Sequence, residues 1–194
     1  LYQQYTLNPN NLTGISDVSV RDLDRNIQYR QSDFVDPSTV GLDTDRWDGY
    51  SDQWYQRDAG GNANGRRLVE IGWNIPSIGS AEHRVFEVSM TMQGTGTLHP
   101  DVASIQWEPF GKDNQVPIRR VTGTIQWPRG ITSDSSWFWQ HYSGNGSSSR
   151  RPDGTAHFEA YDVRAGAYMD LVLMADAHGF HGVGRTSNQP AKNA

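Results

Sequence analysis

Apolar and polar residues alternate in short stretches along this chain, and no stretch keeps the three-to-four-residue spacing of an amphipathic helix. The clearest case lies between Val85 and Met92: Phe86, Val88, Met90 and Met92 fall on one side, Glu87, Ser89 and Thr91 on the other. Successive strand side chains point to opposite faces, so this pattern predicts a strand with one face on a core and one in water. Val69, Ile71 and Trp73 repeat it within 67–73. After the Gly94-Thr95-Gly96 turn come Ala103, Ile105 and Trp107, then Val121, Ile125 and Trp127 in a strand ended by Pro128. Shorter strands fit 15–20, through Val18 and Val20, and the pair Ile27 and Tyr29, while 137–142, 156–163 and 168–174 complete the set. About eight strands at this spacing predict an all-β fold, a β-sandwich of two mainly antiparallel sheets. Its core is expected to hold Val88, Ile105, Trp107, Ile125, Trp127 and Leu171.

Two stretches break the pattern. From 32 to 65, Asp33, Asp36, Asp43, Asp45, Asp48, Asp52 and Asp58 alternate with Gly, Ser and Trp, which predicts strand pieces at most, around Trp54 and Tyr55. Gly60-Gly61-Asn62-Ala63-Asn64-Gly65 reads as an exposed tip. Residues 143–154 are rich in Gly, Ser and Asn and are expected to form a loop that buries too little apolar area to hold one shape. The polar stretch after Phe180 reads as chain end. The expectation is therefore a single sandwich domain over 1–181 and a polar linker or tail over 182–194.

Composition changes this picture in three ways. Hydrophobic residues make up 35% of the chain, against a usual share of about 45–50%, yet there are 7 Trp and 8 Tyr. A few large rings, each burying roughly 150–250 Å², are then expected to fill the core. The net charge is −5 and no basic run exceeds two arginines, so no phosphate-binding footprint exists and nucleic acid is excluded as a partner. With 0 Cys there is no disulfide framework, thiolate metal site or thiol nucleophile. No apolar run approaches the ~20 residues of a membrane helix, and the opening Leu1-Tyr2-Gln3-Gln4 is expected of a processed or excised piece.

Candidate chemistry is sparse. Asp43-Thr44-Asp45-Arg46-Trp47-Asp48-Gly49, with Asp52 nearby, is the best calcium lookalike, since calcium needs several hard oxygens from one loop. Trp47 stands where a ligand belongs, the glycine comes one residue late and Trp54 replaces the bidentate glutamate, so a solvated acidic loop is expected instead. His178 and His181 are three apart without the third and fourth ligands that zinc requires, and His99, His141 and His157 stand alone in sequence. No metal or cofactor is expected. The serines lack a Gly-x-Ser-x-Gly elbow. Glu82, Glu108 and Glu159 would serve glycoside hydrolysis only if the fold brought two within roughly 5–9 Å. One aromatic run stands out: in a strand Trp137 and Trp139 share a face, opposite Phe138 and Tyr142. Large rings are generally buried, and the plainer expectation covers both faces, one by the sandwich and one by the 143–154 loop. An uncovered face would make Trp137, Trp139 or Tyr142 a ligand or partner surface.

Several of these pieces occur in a fixed order: the strand with Phe86 and Val88, Ile105-Gln106-Trp107 leading into Gly111-Lys112-Asp113, Val116-Pro117-Ile118, Trp127-Pro128, Gly166-Ala167-Tyr168-Met169 and Gly179-Phe180. In that order they resemble the N-terminal domain of a bacterial family of predicted membrane proteins, domain of unknown function 2207. The likeness covers 82–180, and Ile15-Ser16-Asp17-Val18-Ser19-Val20 extends it toward the N-terminus. The acidic segment from Asp33 to Asp58 carries no motif of the family, and the first hairpin usual in such members is missing. The resemblance implies an extracytoplasmic β-sandwich followed, in the parent protein, by transmembrane helices. The family has no established activity, so no catalytic residue carries over. The function expected on this basis is a non-catalytic interaction or assembly module at the cell envelope, its partner another envelope protein or a glycan. The alternative is a carbohydrate-binding or glycan-hydrolysing domain built on the aromatic platform.

Overall fold

A computed structural model describes residues 1–42, 45–61, 65–76, 83–180 and 185–191. The fold is all-β, with 53% of residues in strand. It divides into two compact units, Leu1–Gln93 and Gly94–Ala194. The sandwich of about eight strands expected for the whole chain therefore has a counterpart in each unit, because alternation marks the faces of strands and not which strands share a core.

In the first unit, β1 (Tyr2–Leu7), β4 (Arg30–Gln31), β5 (Gln53–Gly61) and β6 (Arg67–Asn74) form a sheet of order β1-β6-β5-β4. β2 (Gly14–Asp22), β3 (Ile27–Gln28) and β7 (Phe86–Gln93) form the order β3-β2-β7. Ladders are antiparallel except β4–β5. Both sheets feed common cores: Leu7, Val69 and Ile71 meet Ile15, Met90 and Met92, and Trp54 and Trp73 meet Val20, Tyr29, Phe86 and Val88. The acidic segment is more ordered than its composition suggests. Trp54 and Tyr55 belong to a nine-residue strand, and Trp47, on a short helical turn, is 6% exposed with its Nε1 donating to Ile75 O. Three rings anchor what the aspartates solvate. Asn62 to Asn64, in the expected tip, lie outside the described residues.

In the second unit, β8 (Gly96–Leu98), β9 (Val102–Phe110), β11 (Ser136–His141), β14 (Met169–Asp176) and β15 (Arg185–Thr186) form the order β11-β14-β9-β8-β15. β10 (Ile118–Ile125), β12 (Gly146–Arg150) and β13 (Ala156–Val163) form β10-β13-β12. Phe158, Ala160 and Val163 from one sheet and Phe110, Met169, Leu171 and Leu173 from the other make one cluster, with Ile105, Ile118, Val121, Ile125, Trp127 and Phe138 against it.

Three expectations need correction, and one strand had no expectation. The Ser-rich stretch expected as a loop contains β12, which pairs along β13 from Gly146↔Ala160 to Arg150↔Ala156; backbone pairing and the Arg150 guanidinium on Ser133 O and Ser136 O hold it without apolar burial. The polar tail is tied down at 185–191: β15 pairs parallel to β8, Ser187 N donates to Leu98 O and Ala191 N to Asp101 Oδ1. β1, whose YQQYTL wording shows no clean alternation, is an edge strand on β6. Trp107 is 42% exposed: its ladder partner Leu171 on β14 is buried, but β8 stops at Gly96, opposite Ile105, so among the described residues no strand pairs with it on its other side.

One device recurs in both units. Tyr55 lies opposite Gly72 across β5–β6, and Phe158 opposite Gly123 across β10–β13. In each case a Cβ on the glycine would collide with ring atoms, so the ring lies flat across the neighbouring backbone.

Candidate functional site

β11 presents the aromatic run as its alternation demands. Phe138 and Gln140 face Leu173 and Leu171, on the core side; Trp137 and Trp139 face Met174 and Val172, on the other. Tyr142 goes with the core, its ring edge-on to Phe110 at 5.7 Å. The structure thus brings Trp137 and Trp139 together and places Tyr142 away from them. Neither ring of the pair is fully covered, and Trp139 is 43% exposed.

Beside them on the same face stand Val172 and Met174 of β14, half-buried, then Gln106 and Ser104 of β9. Gln106 Nε2 donates to Asp170 Oδ2 at 2.6 Å, and His141 stands opposite Asp170 on β11. The result is an apolar strip of two indoles, a valine and a methionine with polar side chains along β9 and at the Asp170 end. Such a surface offers stacking area and hydrogen-bonding edges.

A second, polar face lies on the outside of β10-β13-β12 and was not singled out from sequence. Its rows run Arg120–Tyr161, Thr122–Glu159–Ser147 and Thr124–His157–Ser149. Arg120 Nη2 donates to Glu159 Oε1 at 2.9 Å, Tyr161 donates its hydroxyl to Glu159 Oε2, and Thr124 Oγ1 and His157 Nδ1 are 2.9 Å apart. The hydrogen bond from Tyr161, and then that from Arg120, hold the Glu159 carboxyl below its ordinary range. A general acid for glycoside cleavage needs the opposite shift. Alternation over 156–161 was the available signal for this row, since it puts His157, Glu159 and Tyr161 on one face.

The remaining candidates take structural roles. Asp45 and Asp48 sit on the four-residue helical turn, Asp52 is engaged by Arg25, and Asp43 lies outside the described residues. Among the described residues no group of three or more His, Asp or Glu is placed to hold a metal ion. His99 bridges Ser104 Oγ and Gln189 O at 3.1 and 3.0 Å, anchoring the tail. His178 is exposed on a 3-10 turn, and His181 and Glu82 lie outside the described residues.

The first unit buries two ionic clusters. Asp22, 0% exposed, accepts from Arg25 N and Nε at 3.0 and 2.7 Å, with Arg84 Nε at 3.9 Å, and Arg25 reaches on to Asp52 and the Tyr29 hydroxyl. Burial alone would raise the Asp22 carboxyl, but the Arg25 hydrogen bonds and cationic neighbours outweigh it and hold it low. Glu70, 3% exposed, accepts from Arg57 Nε, Gln4 Nε2 and Tyr55 OH at 2.7, 2.8 and 3.0 Å, with the same result. Arg57 also stacks over the Phe34 ring at 3.6 Å, and Phe34 meets Tyr55 edge-on. Each carboxylate is saturated by its neighbours, which suits a brace better than a reactive group.

No helix among the described residues is long and apolar enough to cross a membrane. Comparison with curated proteins and with solved structures returns no match. A family model does match, over residues 1–175, and so takes in the acidic segment and β1 as well as most of the stretch carrying the sequence resemblance, ending short of Gly179-Phe180. The chain belongs to the family described as predicted membrane protein (DUF2207), N-terminal domain.

Proposed function

We propose that this chain is a non-catalytic, extracytoplasmic interaction or assembly module of its parent membrane protein, and that the Trp137–Trp139 strip is its contact surface. The observation that carries this reading is the exposed Trp139, flanked by Trp137, Val172 and Met174 on one sheet face. Aromatic anchors in an apolar strip with polar neighbours are what protein interfaces use. Membership of a predicted membrane-protein family supports a position at the envelope. Labelling intact cells tests the compartment: the parent protein carrying Ser147→Cys, exposed on β12, should react with a membrane-impermeant maleimide, measured against the parent without the substitution. Labelling that requires lysis would overturn the extracytoplasmic placement. Trp139→Ala should abolish co-purification of envelope partners while leaving the melting temperature nearly unchanged.

The second reading, a glycan-binding or glycan-hydrolysing domain, draws on the same rings and on the Gln106–Asp170 pair at their border. A glycan array read with wild type and Trp139→Ala separates the two. Turnover on a hydrolase panel that vanishes with one Asp or Glu substitution would end the non-catalytic reading.

A further inference from the structure

Among the described residues β7 has a ladder partner on one side only, β2. Thr13 N donates to Gln93 O and Leu23 N to Val85 O, both at 2.8 Å, so the odd-numbered carbonyls of this strand face β2. Alternation in an antiparallel ladder then turns the backbone N–H and C=O groups of Phe86, Val88, Met90 and Met92 away from β2. The irregularity of the ladder falls on β2, where Ser16 to Ser19 spans three residues against two from Thr91 to Ser89, and leaves β7 straight. Natural edge strands are blunted by proline, lysine, bulges or shortness. β7 has eight residues, no proline, glycine or basic side chain, and one charge, Glu87. Its four inward side chains are all half-buried, whereas Val20 and Ile71, which face the same interior from β2 and β6, are 0% exposed.

We infer that β7 is a strand-addition surface whose occupant is the β7 of a second copy of this chain, paired antiparallel about a two-fold axis at Ser89. Facing residues in an antiparallel pair lie on one side of the sheet, so this register sets Phe86 against Met92 and Val88 against Met90 on the core side. On the outer side Glu87 meets Thr91 and Ser89 meets Ser89, so no like charges face each other. The even-numbered residues supply the new hydrogen bonds, which makes Ser89–Ser89 a non-bonded pair with Cα atoms about 4.5 Å apart. This surface is separate from the Trp139 strip, and either can fail without the other.

The test is sedimentation of the 194-residue chain from about 5 to about 500 µM, with a concentration-dependent dimer expected. Ser89→Lys, on the solvent face, places two ammonium groups opposite each other at the axis; it should weaken the dimer at least about fivefold with the melting temperature of the monomer retained. Because the chain has 0 Cys, Ser89→Cys reports the register cleanly. Its introduced thiols, within the roughly 4.4–6.8 Å Cα span of a disulfide, should cross-link under mild oxidation, while Ser147→Cys should not. A monomer throughout the concentration range, a dimer indifferent to Ser89→Lys, or equal cross-linking at both positions would each overturn the pairing.

Discussion

The two units reach the same two-layer architecture with opposite chemistry. Residues 1–93 hold 13 acidic and 8 basic side chains, and residues 94–194 hold nine of each, so the whole net charge of −5 resides in the first unit. That unit also takes charge inside: Asp22 and Glu70 are buried and answered by Arg25, Arg84 and Arg57. The second unit closes over Phe110, Phe158, Met169, Leu171 and Leu173, and the Arg120–Glu159 pair stays on its outside. Burying a charge repays its desolvation only while every partner is present, whereas an apolar core depends on volume. The first unit should therefore respond to pH and the second to truncation.

The largest effect expected is in the dry core: Leu171→Ala should lower stability by about 2–5 kcal/mol, with little dependence on pH, in denaturant titrations of tryptophan fluorescence. Arg25→Ala should cost the first unit about 1–3 kcal/mol; the penalty of about 3–5 for stranding a buried charge is reduced because Arg25 is 26% and Asp52 33% exposed. Gly72→Ala and Gly123→Ala probe the device the units share, and each should cost about 1–3 kcal/mol by displacing the facing ring.

Acid gives a smaller and graded effect. Asp22 and Glu70 are held below their ordinary values of 3.8 and 4.5. Groups with lowered values in the fold stabilise it fully above those ordinary values, and the contribution is lost as pH falls through the lowered ones. Amide exchange between about pH 5 and about pH 2 should open residues 1–93 before 94–194, and Arg25→Ala should flatten that difference. Simultaneous opening of both would erase the contrast between the units. The smallest effect expected is from calcium, none on the melting temperature at matched ionic strength, since Asp52 is committed to Arg25. A rise of several degrees abolished by Asp45→Asn would contradict this.

Much of the fold was legible where one face of a strand is wet. β7 and β14 alternate without a break. Sequence reading failed where backbone pairing or neighbours substitute for pattern. β12 is Gly, Ser and Arg, and its order comes from β13. β6 is buried on its second face as well, where the Tyr55 ring from neighbouring β5 lies across Gly72 with its hydroxyl donating to Glu70, and Asn74 donates to Tyr50 O, and no period betrays that covering. At the aromatic strip the facing of Trp137 and Trp139 followed from spacing, as did the separation of Tyr142. Which side stayed open did not, because exposure depends on what the other strands bring.

The paired glycine and ring have a consequence for how the strands find each other. Sliding a strand by one residue exchanges its faces and is rejected by burial, but sliding by two keeps every apolar residue inward and costs the pattern nothing. The ring forbids that second error. A two-residue slip of β5 would lay Tyr55 across Glu70 or Asn74, and one of β13 would lay Phe158 across Val121 or Ile125, each with a side chain where only a bare backbone fits. Each sandwich thus carries a key and a keyhole on neighbouring strands, and replacing the glycine damages proofreading of strand alignment as well as packing.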